Sequence, residues 1–339
     1  MIDCLVSICI PTYNRPEYLR RAVDSCLAQT YSNFEIVITD NSTDDRTAKM
    51  AGRWPDPRIR YYKNEGNIGP VGSCNRGVAL AQGKYIKFLM DDDLLKPRCL
   101  ELMVRGMEAN PSAAVAMAPM DLIDENDTRI FPRFYVFRTM HYRYRYQLGD
   151  GLVDRRRAMK DFLTRDYPCT VPSGIMFRTE AFRAAGEFTE EAEFAGDLDM
   201  CMRLGATWDF YYVDEVLSSW RFMTVCHTAS LHQTGLNVSV FYYVTRKALD
   251  NKSVREMFRD EWKKTVRDSL HFCSCRALLN GLAAVRARDP KLLLTTMKTV
   301  IREDPDPINW LRLPLFVFQQ IWVSIFPPKM PPPREMTAK

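Results

Sequence analysis

Three adjacent carboxylates follow an apolar stretch of the chain. Asp91, Asp92 and Asp93 come directly after 85–90, a segment typical of a buried strand. Neighbouring carboxylates repel one another, and burial adds to the cost because it disfavours the charged form. A divalent cation removes the conflict, since Mg²⁺ and Mn²⁺ prefer carboxylate oxygen and complete their shells with water and phosphate oxygens. The triplet predicts a metal site, and the alternative is a solvated acidic turn; in both, Asp93 is expected to begin the next helix.

The segments around the triplet alternate between strand and helix patterns. Short apolar runs predict strands at 4–10, 34–39, 58–63 and 85–90, and helical spacing predicts helices from Pro16, near 44–52 and near 70–82. This alternation is typical of a Rossmann-like, doubly wound, mostly parallel sheet. Ligands bind beyond the carboxyl ends of such strands, so the polar strand ends 11–15, 40–42 and 91–93 are expected along one crevice.

The second half of the chain changes character. Residues 4–111 form the alternating half of a predicted domain 1–230, and the other half, 112–230, has shorter elements. Its predicted elements are antiparallel pieces at 113–123 and 129–137, helices at 155–165 and 197–205, a loop at 186–195, and strands at 174–178, 210–213 and 216–222. A helical extension follows over 231–306, with helices near 231–249, 253–287 (broken at least once) and 290–302.

The C-terminal segment is unusually apolar. An amphipathic or membrane-associated helix is expected within 307–326, before a proline-rich, disordered tail at 327–339. Residues 308–326 are about long enough to span a bilayer, but Arg312, Pro314 and a central Gln pair weaken that interpretation. Three alternatives stay open: a helix lying on a membrane surface, a helix packed on the domain or on a partner chain, and a true span.

Composition limits the class of protein. Charged residues make up 26% and hydrophobic residues 46% of the chain, as in soluble globular proteins, and the net charge is +5. Residues 129–165 hold ten Arg and Lys against three Asp, interleaved with Tyr. No nucleic-acid motif accompanies them, so nucleic acid is not an expected partner. An acidic sugar, a diphosphate, an anionic lipid or plain solvent all fit this stretch.

Cysteine usage and the first residues predict a location. None of the ten cysteines forms a C-x-x-C pair, and several lie inside apolar periodic segments, which indicates reduced, buried thiols. Ile2 is followed at once by Asp3 and a strand, so no signal peptide is expected. We expect a cytoplasmic protein, or one peripheral to the inner face of the membrane. Oligomerisation is left open.

Six motifs resemble, in order and spacing, those of the family 2 nucleotide-sugar glycosyltransferases of GT-A fold. They are Pro11-Thr12-Tyr13-Asn14-Arg15, Asp40-Asn41-Ser42, Asn67-Ile68-Gly69, Asn75-Arg76-Gly77, 84–93 and Gly196-Asp197-Leu198-Asp199. The resemblance covers about residues 4–230. It implies a metal-dependent, inverting transfer of a sugar from a nucleotide-diphosphate donor to a saccharide or lipid-linked acceptor, with Mn²⁺ or Mg²⁺ as cofactor.

The resemblance also implies nucleotide-binding residues. Asp40 matches the aspartate that hydrogen-bonds the base, and a carboxylate accepting a ring N–H favours UDP- or dTDP-sugars. The loop Pro11, Thr12, Tyr13, Asn14 and Arg15 wraps the nucleotide; Tyr13 can stack on the base and Arg15 can meet a phosphate. Asn67 and Asn75 complete the implied nucleotide-binding set.

The metal and catalytic residues follow from the same resemblance. Asp92 matches the usual metal ligand, Asp91 lies on its ribose or metal side, and His227 is a further candidate for metal or diphosphate. Asp197 matches the general base, which inverting transfer requires to take the proton of the acceptor hydroxyl. Two residues depart from the family pattern: Met90 stands where the first D of D-x-D is usual, and Cys74 where many members have Arg.

Two other functions remain as alternatives. A catalytically silent nucleotide-binding or scaffold subunit could use the same fold, and Met90 and Cys74 leave room for it. A nucleotidyltransferase is disfavoured, because no glycine-rich, lysine-bearing phosphate loop lies near the first strand. The acceptor is to be sought at the Tyr/Arg-rich stretch and the C-terminal helices, where loops and appended elements vary most.

Overall fold

A computed structural model describes residues 4–130, 150–164, 171–222, 236–286, 289–306 and 308–309. The strands are β1 (Val6–Thr12), β2 (Phe34–Asp40), β3 (Ile59–Lys63), β4 (Tyr85–Phe88), β5 (Leu94–Leu95), β6 (Ala113–Met117), β7 (Met120–Ile123), β8 (Arg129–Ile130), β9 (Gly151–Val153), β10 (Ile175–Arg178), β11 (Asp209–Tyr212) and β12 (Ser218–Arg221). The α-helices are α1 (Pro16–Leu27), α2 (Arg46–Ala51), α3 (Gly69–Leu80), α4 (Cys99–Ala109), α5 (Arg155–Thr164), α6 (Thr179–Ala185), α7 (Gly196–Gly205), α8 (Leu236–Leu249), α9 (Lys252–Met257), α10 (Trp262–Arg286) and α11 (Pro290–Glu303).

The main sheet confirms the α/β architecture. Its strand order is β3-β2-β1-β4-β10-β6-β11-β9, and β3, β2, β1 and β4 run parallel. The other half is mixed, because β10 runs antiparallel to both β4 and β6. In register, Thr12 lies opposite Asp40, and Cys9 lies opposite Phe88. The polar residues that follow β1, β2 and β4 therefore meet at one edge of the sheet.

Helices cover both faces of this sheet, which explains the nearly continuous apolar strands. Helix α1 begins with Pro16 in its first turn and buries Leu19, Ala22, Val23 and Cys26, the residues that helical spacing places on one face. Each large aliphatic side chain so buried contributes about 1.5–3 kcal/mol. Helix α4 packs on the same face, and α3, α6 and α7 pack on the other.

A small second sheet supports the acidic triplet. Its strand order is β5-β12-β7-β8, and β5 begins at Leu94, directly after Asp93. The expectation that Asp93 begins a helix is wrong: Asp93 is fully buried, and the next helix starts at Cys99. Tertiary pairing of β5 with β12 outweighs the local capping preference of aspartate.

Two further expectations need correction. The strand predicted over 85–90 ends at Phe88, because Met90 turns to donate its backbone N–H to Ser173. The loop predicted over 186–195 contains a 3-10 helix, Glu190–Ala195, packed on α7 and α8. The strand predicted at 129–137 is described only as β8, since 131–149 lie outside the described residues.

The C-terminal region is helical, as expected. The predicted break within 253–287 lies at Phe258, where α9 ends and a short 3-10 turn, Arg259–Glu261, leads into α10. No helix in the described part of the chain is long and apolar enough to cross a membrane. Of the segments predicted at 307–326 and 327–339, all but residues 308–309 lie outside the described residues.

Candidate active site

The loop after β1 ties two strand ends together. Thr12 Oγ1 donates to Asp91 Oδ2 at 2.7 Å, and the Tyr13 backbone N–H donates to the same oxygen at 3.4 Å. Asn14 takes a positive φ of 55°, a conformation that asparagine tolerates better than most residues, and its N–H donates to Ser42 Oγ at 2.8 Å. Tyr13 is 45% exposed beside this turn. The predicted nucleotide loop thus lies against the residues that follow β2 and β4.

Arg15 bridges the first two carboxylates of the triplet. Its Nη1 donates to Asp92 Oδ2 at 2.7 Å and lies 3.7 Å from Asp91 Oδ1. Asp91 is buried and Asp92 is half-buried. The two side chains therefore converge on the Arg15 guanidinium, and their binding of a metal ion stays a prediction.

Asp93 points away from this pair into the protein. Its Oδ2 accepts from Ser173 Oγ at 2.5 Å, and its Oδ1 accepts from the Arg221 backbone N–H at 2.9 Å. The Arg221 side chain is buried, and its Nε donates to the Asp92 carbonyl at 2.8 Å. Its guanidinium also donates to the Asp124 backbone carbonyl and to the Asp127 carboxylate. Asp93 and Arg221 thus fix the backbone of the triplet, which positions Asp91 and Asp92.

The triplet is electrostatically costly without a cation. Burial, and then the charge of Asp92, raise the pKa of Asp91 to about 7. Burial also raises the pKa of Asp92, although Arg15 opposes the shift, and burial raises the pKa of Asp93 well above its usual range. Among the described residues no group of three or more His, Cys, Asp or Glu is arranged to hold a metal ion. Asp91 and Asp92 still fit Mn²⁺ or Mg²⁺, because Arg15 already places a cation between them and one or two carboxylates suffice for such ions.

Asp40 is the last residue of β2 and lies opposite Thr12 of β1. Its Oδ1 accepts from the Ser42 N–H at 2.7 Å, its Oδ2 accepts from the Tyr61 hydroxyl at 2.6 Å, and Lys63 Nζ lies 3.7 Å from Oδ2. The carboxylate is fully buried beneath these groups. Its contact with a base stays a prediction, and the structure adds Tyr61 and Lys63 to the groups that surround its carboxylate.

The two predicted asparagines have different surroundings. Asn67 is exposed, and its side chain accepts from the Gly69 N–H at 3.0 Å before α3. Asn75 exchanges two hydrogen bonds with the Phe188 backbone, at 2.9 and 3.0 Å, and so anchors the loop that leads to Asp197. Cys74, next to it, is half-buried, and desolvation raises the pKa of its thiol to about 12, with the Asp197 charge as a further cause.

Asp197 occupies the first turn of α7. Ala195, rather than Asp197, is at the N-cap position, and Asp197 Oδ1 accepts from the Leu198 N–H at 2.8 Å. The side chain is half-buried, and a helix N-terminus favours its negative charge. Asp199 is buried instead and bonds Arg203 and Lys247 at 2.9 and 3.0 Å. Of the two carboxylates, Asp197 is the less buried, and Asp199 is the one held by two cationic side chains.

Comparison with known proteins decides the family. The family model for glycosyl transferase family 2 matches residues 7–186, slightly more than half of the chain. The chain belongs to glycosyltransferase family 2. An uncharacterized glycosyltransferase of Rickettsia typhi is 28% identical over 235 residues, covering 69% of this chain and 67% of that protein. An uncharacterized protein of Mycobacterium tuberculosis is 29% identical over 236 residues, covering 69% of this chain and 72% of its own length.

Solved structures show the same GT-A fold. TarS 1-349 of S. aureus in complex with UDP-GlcNAc matches with a TM-score of 0.57 at 15% identity, covering 88% of this glycosyltransferase and 91% of that chain. Mannosyltransferase PcManGT of Pyrobaculum calidifontis, in complex with GDP-Man and Mn²⁺, matches with a TM-score of 0.56 at 15% identity. The match covers 97% of this chain and 89% of that chain. Against the larger TarS chain the TM-score is 0.63 at 16% identity, and the match covers 94% of this chain but only 52% of TarS.

Some residues of the glycosyltransferase site were not predicted from the sequence. Lys87 lies inside the apolar run of β4, and a lysine at such a position predicts a buried amine with hydrogen-bond partners. In the structure its Nζ donates to the Ser173 carbonyl at 2.5 Å. Ser173 and Tyr61 gave no such signal, because their partners Asp93 and Asp40 are distant in sequence. His227 lies outside the described residues.

Proposed function

We propose that this glycosyltransferase is metal-dependent and inverting, and that it transfers a sugar from a UDP- or dTDP-sugar to a saccharide or lipid-linked acceptor. One observation carries the proposal: Asp91 and Asp92 converge on the Arg15 guanidinium at the carboxyl ends of β1 and β4. Two buried or half-buried carboxylates that share a cation beside an exposed Tyr13 suit a metal-bound nucleotide diphosphate.

Asp92 and Asp91 would hold Mn²⁺ or Mg²⁺. When bound, the cation supplies stabilisation of the negative charge that develops on the leaving diphosphate. The chain's own groups bind and orient the donor: the exposed Tyr13 ring offers a stacking surface for the base, and Arg15 turns from Asp92 to a phosphate. The Mn²⁺ in the PcManGT complex supports the metal, although that protein shares only 15% identity.

Asp40 would select the nucleotide base of the sugar donor. Its carboxylate ends β2 directly opposite Thr12, so it lies beside the loop that carries Tyr13. A carboxylate accepts the ring N–H of uracil or thymine. Its oxygens already accept from Ser42 and Tyr61, so a base reaches Asp40 when the Tyr61 hydroxyl gives up its bond. The UDP and UDP-GlcNAc complexes of TarS support a uridine donor, and the GDP-Man complex of PcManGT is the competing precedent.

Asp197 would act as the general base. Inverting transfer needs one carboxylate that takes the acceptor proton, and no second nucleophilic carboxylate. Asp197 has the exposure for this role, whereas Asp199 is bound by two cations. The half-buried Cys74 thiol keeps its proton at neutral pH because its pKa is raised to about 12, so it adds no negative charge beside Asp197.

Asp197→Asn is the direct test of the base. We expect sugar transfer to fall by about 100-fold or more, the usual worth of a general base, with donor binding retained. The matched control is Asp250→Asn, an exposed carboxylate at the end of α8, which should leave transfer unchanged. Normal transfer by Asp197→Asn would exclude Asp197 as the base. Nucleotide binding without turnover across donors and acceptors would instead favour a silent subunit.

A further inference from the structure

Helix α11 presents an uncovered apolar row to solvent. Leu294, Met297 and Ile301 are 55%, 43% and 55% exposed, and their i, i+3, i+7 spacing puts them on one face. The opposite face is buried through Thr296 and Val300, and the helix packs on α10. The helix is therefore anchored to the molecule while one apolar side remains open.

A row of positive charge runs beside the apolar row. Lys291, Lys298 and Arg302 are exposed along one edge of it, and Glu303 is the one acidic residue in the sequence of α11. Glu303 lies at the last turn, where it bonds Arg246 and Arg302. Neither Lys291 nor Lys298 has an ion-pair partner within the part of the chain that the structure describes. The two lysines are thus available to an anionic surface.

We propose that this face of α11, defined by Leu294, Met297, Ile301, Lys291 and Lys298, lies on an anionic phospholipid surface. Apolar side chains flanked by lysine and arginine match the boundary between acyl chains and negatively charged head groups. The proposal does not depend on the donor, the metal or the base.

A second copy of the chain fits this face less well. In an antiparallel two-fold pair of α11 helices, the basic rows of both copies would lie along the same side of the interface, and like charges repel. An anionic membrane attracts both rows instead. Continuity favours the membrane too, because the exposed Ile308 follows α11 closely and opens the apolar sequence 308–326.

Flotation of the full chain with vesicles tests the proposal. Wild-type protein should float with mixed phosphatidylcholine and phosphatidylglycerol vesicles more than with phosphatidylcholine alone, and salt should weaken the binding. Lys291→Gln and Lys298→Gln should each weaken it by about fivefold, from about 1 kcal/mol for each basic residue near the surface. The double variant Leu294→Glu with Ile301→Glu should weaken it by about tenfold or more. Leu152→Glu, at an apolar residue 47% exposed on β9, is the matched control and should bind as wild type.

The variants leave the sequence of 308–326 unchanged, so they test the contribution of α11 independently of the segment that follows it. Unchanged flotation of the double variant would overturn the proposal, as would equal binding of wild-type protein to neutral and anionic vesicles. So would a concentration-dependent dimer, lost in the double variant, in a protein that does not float. Circular dichroism checks folding, and the single lysine variants keep the proposal falsifiable if the double variant unfolds, because an exposed lysine contributes little to stability.

Discussion

Arg15 occupies the position, between Asp92 and Asp91, that the proposed divalent cation would take. Its Nη1 lies 2.7 Å from Asp92 and 3.7 Å from Asp91. We therefore expect Arg15→Met to bind Mn²⁺ about tenfold more tightly than wild type in the absence of nucleotide, a difference of about 1.4 kcal/mol. The same variant should bind UDP more weakly, because it loses the proposed phosphate contact. Titration of free Mn²⁺ by electron paramagnetic resonance and calorimetry of UDP measure the two effects.

The control for that experiment is Arg20→Met, which removes an exposed arginine of α1 that pairs with Glu17 and Asp24. It should change neither affinity. Weaker Mn²⁺ binding by Arg15→Met would show that Arg15 supports the metal site rather than competing with the ion.

Lys87 makes the stability of the fold depend on pH. It is fully buried, and desolvation lowers its pKa below its usual value. In the unfolded chain the lysine keeps its proton up to about pH 10.4, so above the lowered pKa the unfolded state binds more protons than the folded state. We expect the free energy of unfolding of wild type to rise, relative to Lys87→Met, as pH increases through that window. Urea denaturation of both proteins between neutral pH and about pH 10 measures the difference.

A lysine variant on the surface provides the comparison for Lys87. Lys49 is exposed on α2, and Lys49→Met should keep a constant difference from wild type over the same range. A constant difference for Lys87→Met as well would mean that Lys87 has the same proton affinity in both states.

At the scale of elements, the C-terminal helices hold the helix that carries the proposed base. Lys247 of α8 and Arg203 of α7 both bind the buried Asp199, two residues from Asp197. Lys247→Met should cost about 1 kcal/mol of stability, since Arg203 still pairs with Asp199 and Lys247 is partly exposed. It should lower kcat while leaving the KM for donor unchanged, because α7 is loosened away from the nucleotide loop.

Arg246→Met is the natural control, since Arg246 is the neighbouring cation of α8 but pairs with Glu303 of α11. It should leave kcat near wild type. A raised KM for donor with unchanged kcat in Lys247→Met would contradict a role through α7.

Elements set by local pattern were predictable from the sequence, and elements set by distant partners were not. The apolar run of β2 and the Pro16 start of α1 needed only neighbouring residues, and both are as predicted. Asp93 was misplaced because its buried state depends on Ser173 and Arg221, 80 and 128 residues away. The turn Glu190–Ala195 was missed for the same reason, since its packing on α8 has no counterpart in local sequence.

The same division applies to the candidate site. Asp91, Asp92, Arg15 and Thr12 could be brought together from strand order alone, because parallel strands end at one edge. The hydrogen bond from Tyr61 to the buried Asp40 could not be predicted in this way. Strand alternation predicts which face of the sheet a residue lies on, but not which hydroxyl group bonds it. The contacts of Asn75 on α3 were not predicted either, because its side chain hydrogen-bonds the distant Phe188 backbone.

At the scale of the whole molecule, the site and the proposed membrane face are joined through the helical extension. Helix α8 binds α7 through Lys247 and binds α11 through the Arg246 to Glu303 pair. A surface that holds α11 would therefore orient the half of the domain that carries Asp197.

The metal and the donor should stabilise the whole molecule synergistically. A cation shared by Asp91, Asp92 and a diphosphate binds more tightly when both partners are present, so each ligand raises the affinity for the other. At 100 times its Kd a ligand adds about 2.7 kcal/mol to the free energy of unfolding. We expect UDP or dTDP with Mn²⁺ to raise the unfolding temperature by more than the sum of the separate shifts, and GDP to give less. Thermal unfolding across this nucleotide panel, with and without Mn²⁺, measures it.

Asp92→Asn should remove the synergy while leaving part of the shift with nucleotide alone, because Tyr13 and Asp40 remain. Asp24→Asn, an exposed carboxylate of α1, should keep the wild-type synergy. Additive shifts in wild type would mean that the metal and the diphosphate do not share a site. The ion pairs of Asp91 and Asp92 with Arg15 would then be structural only.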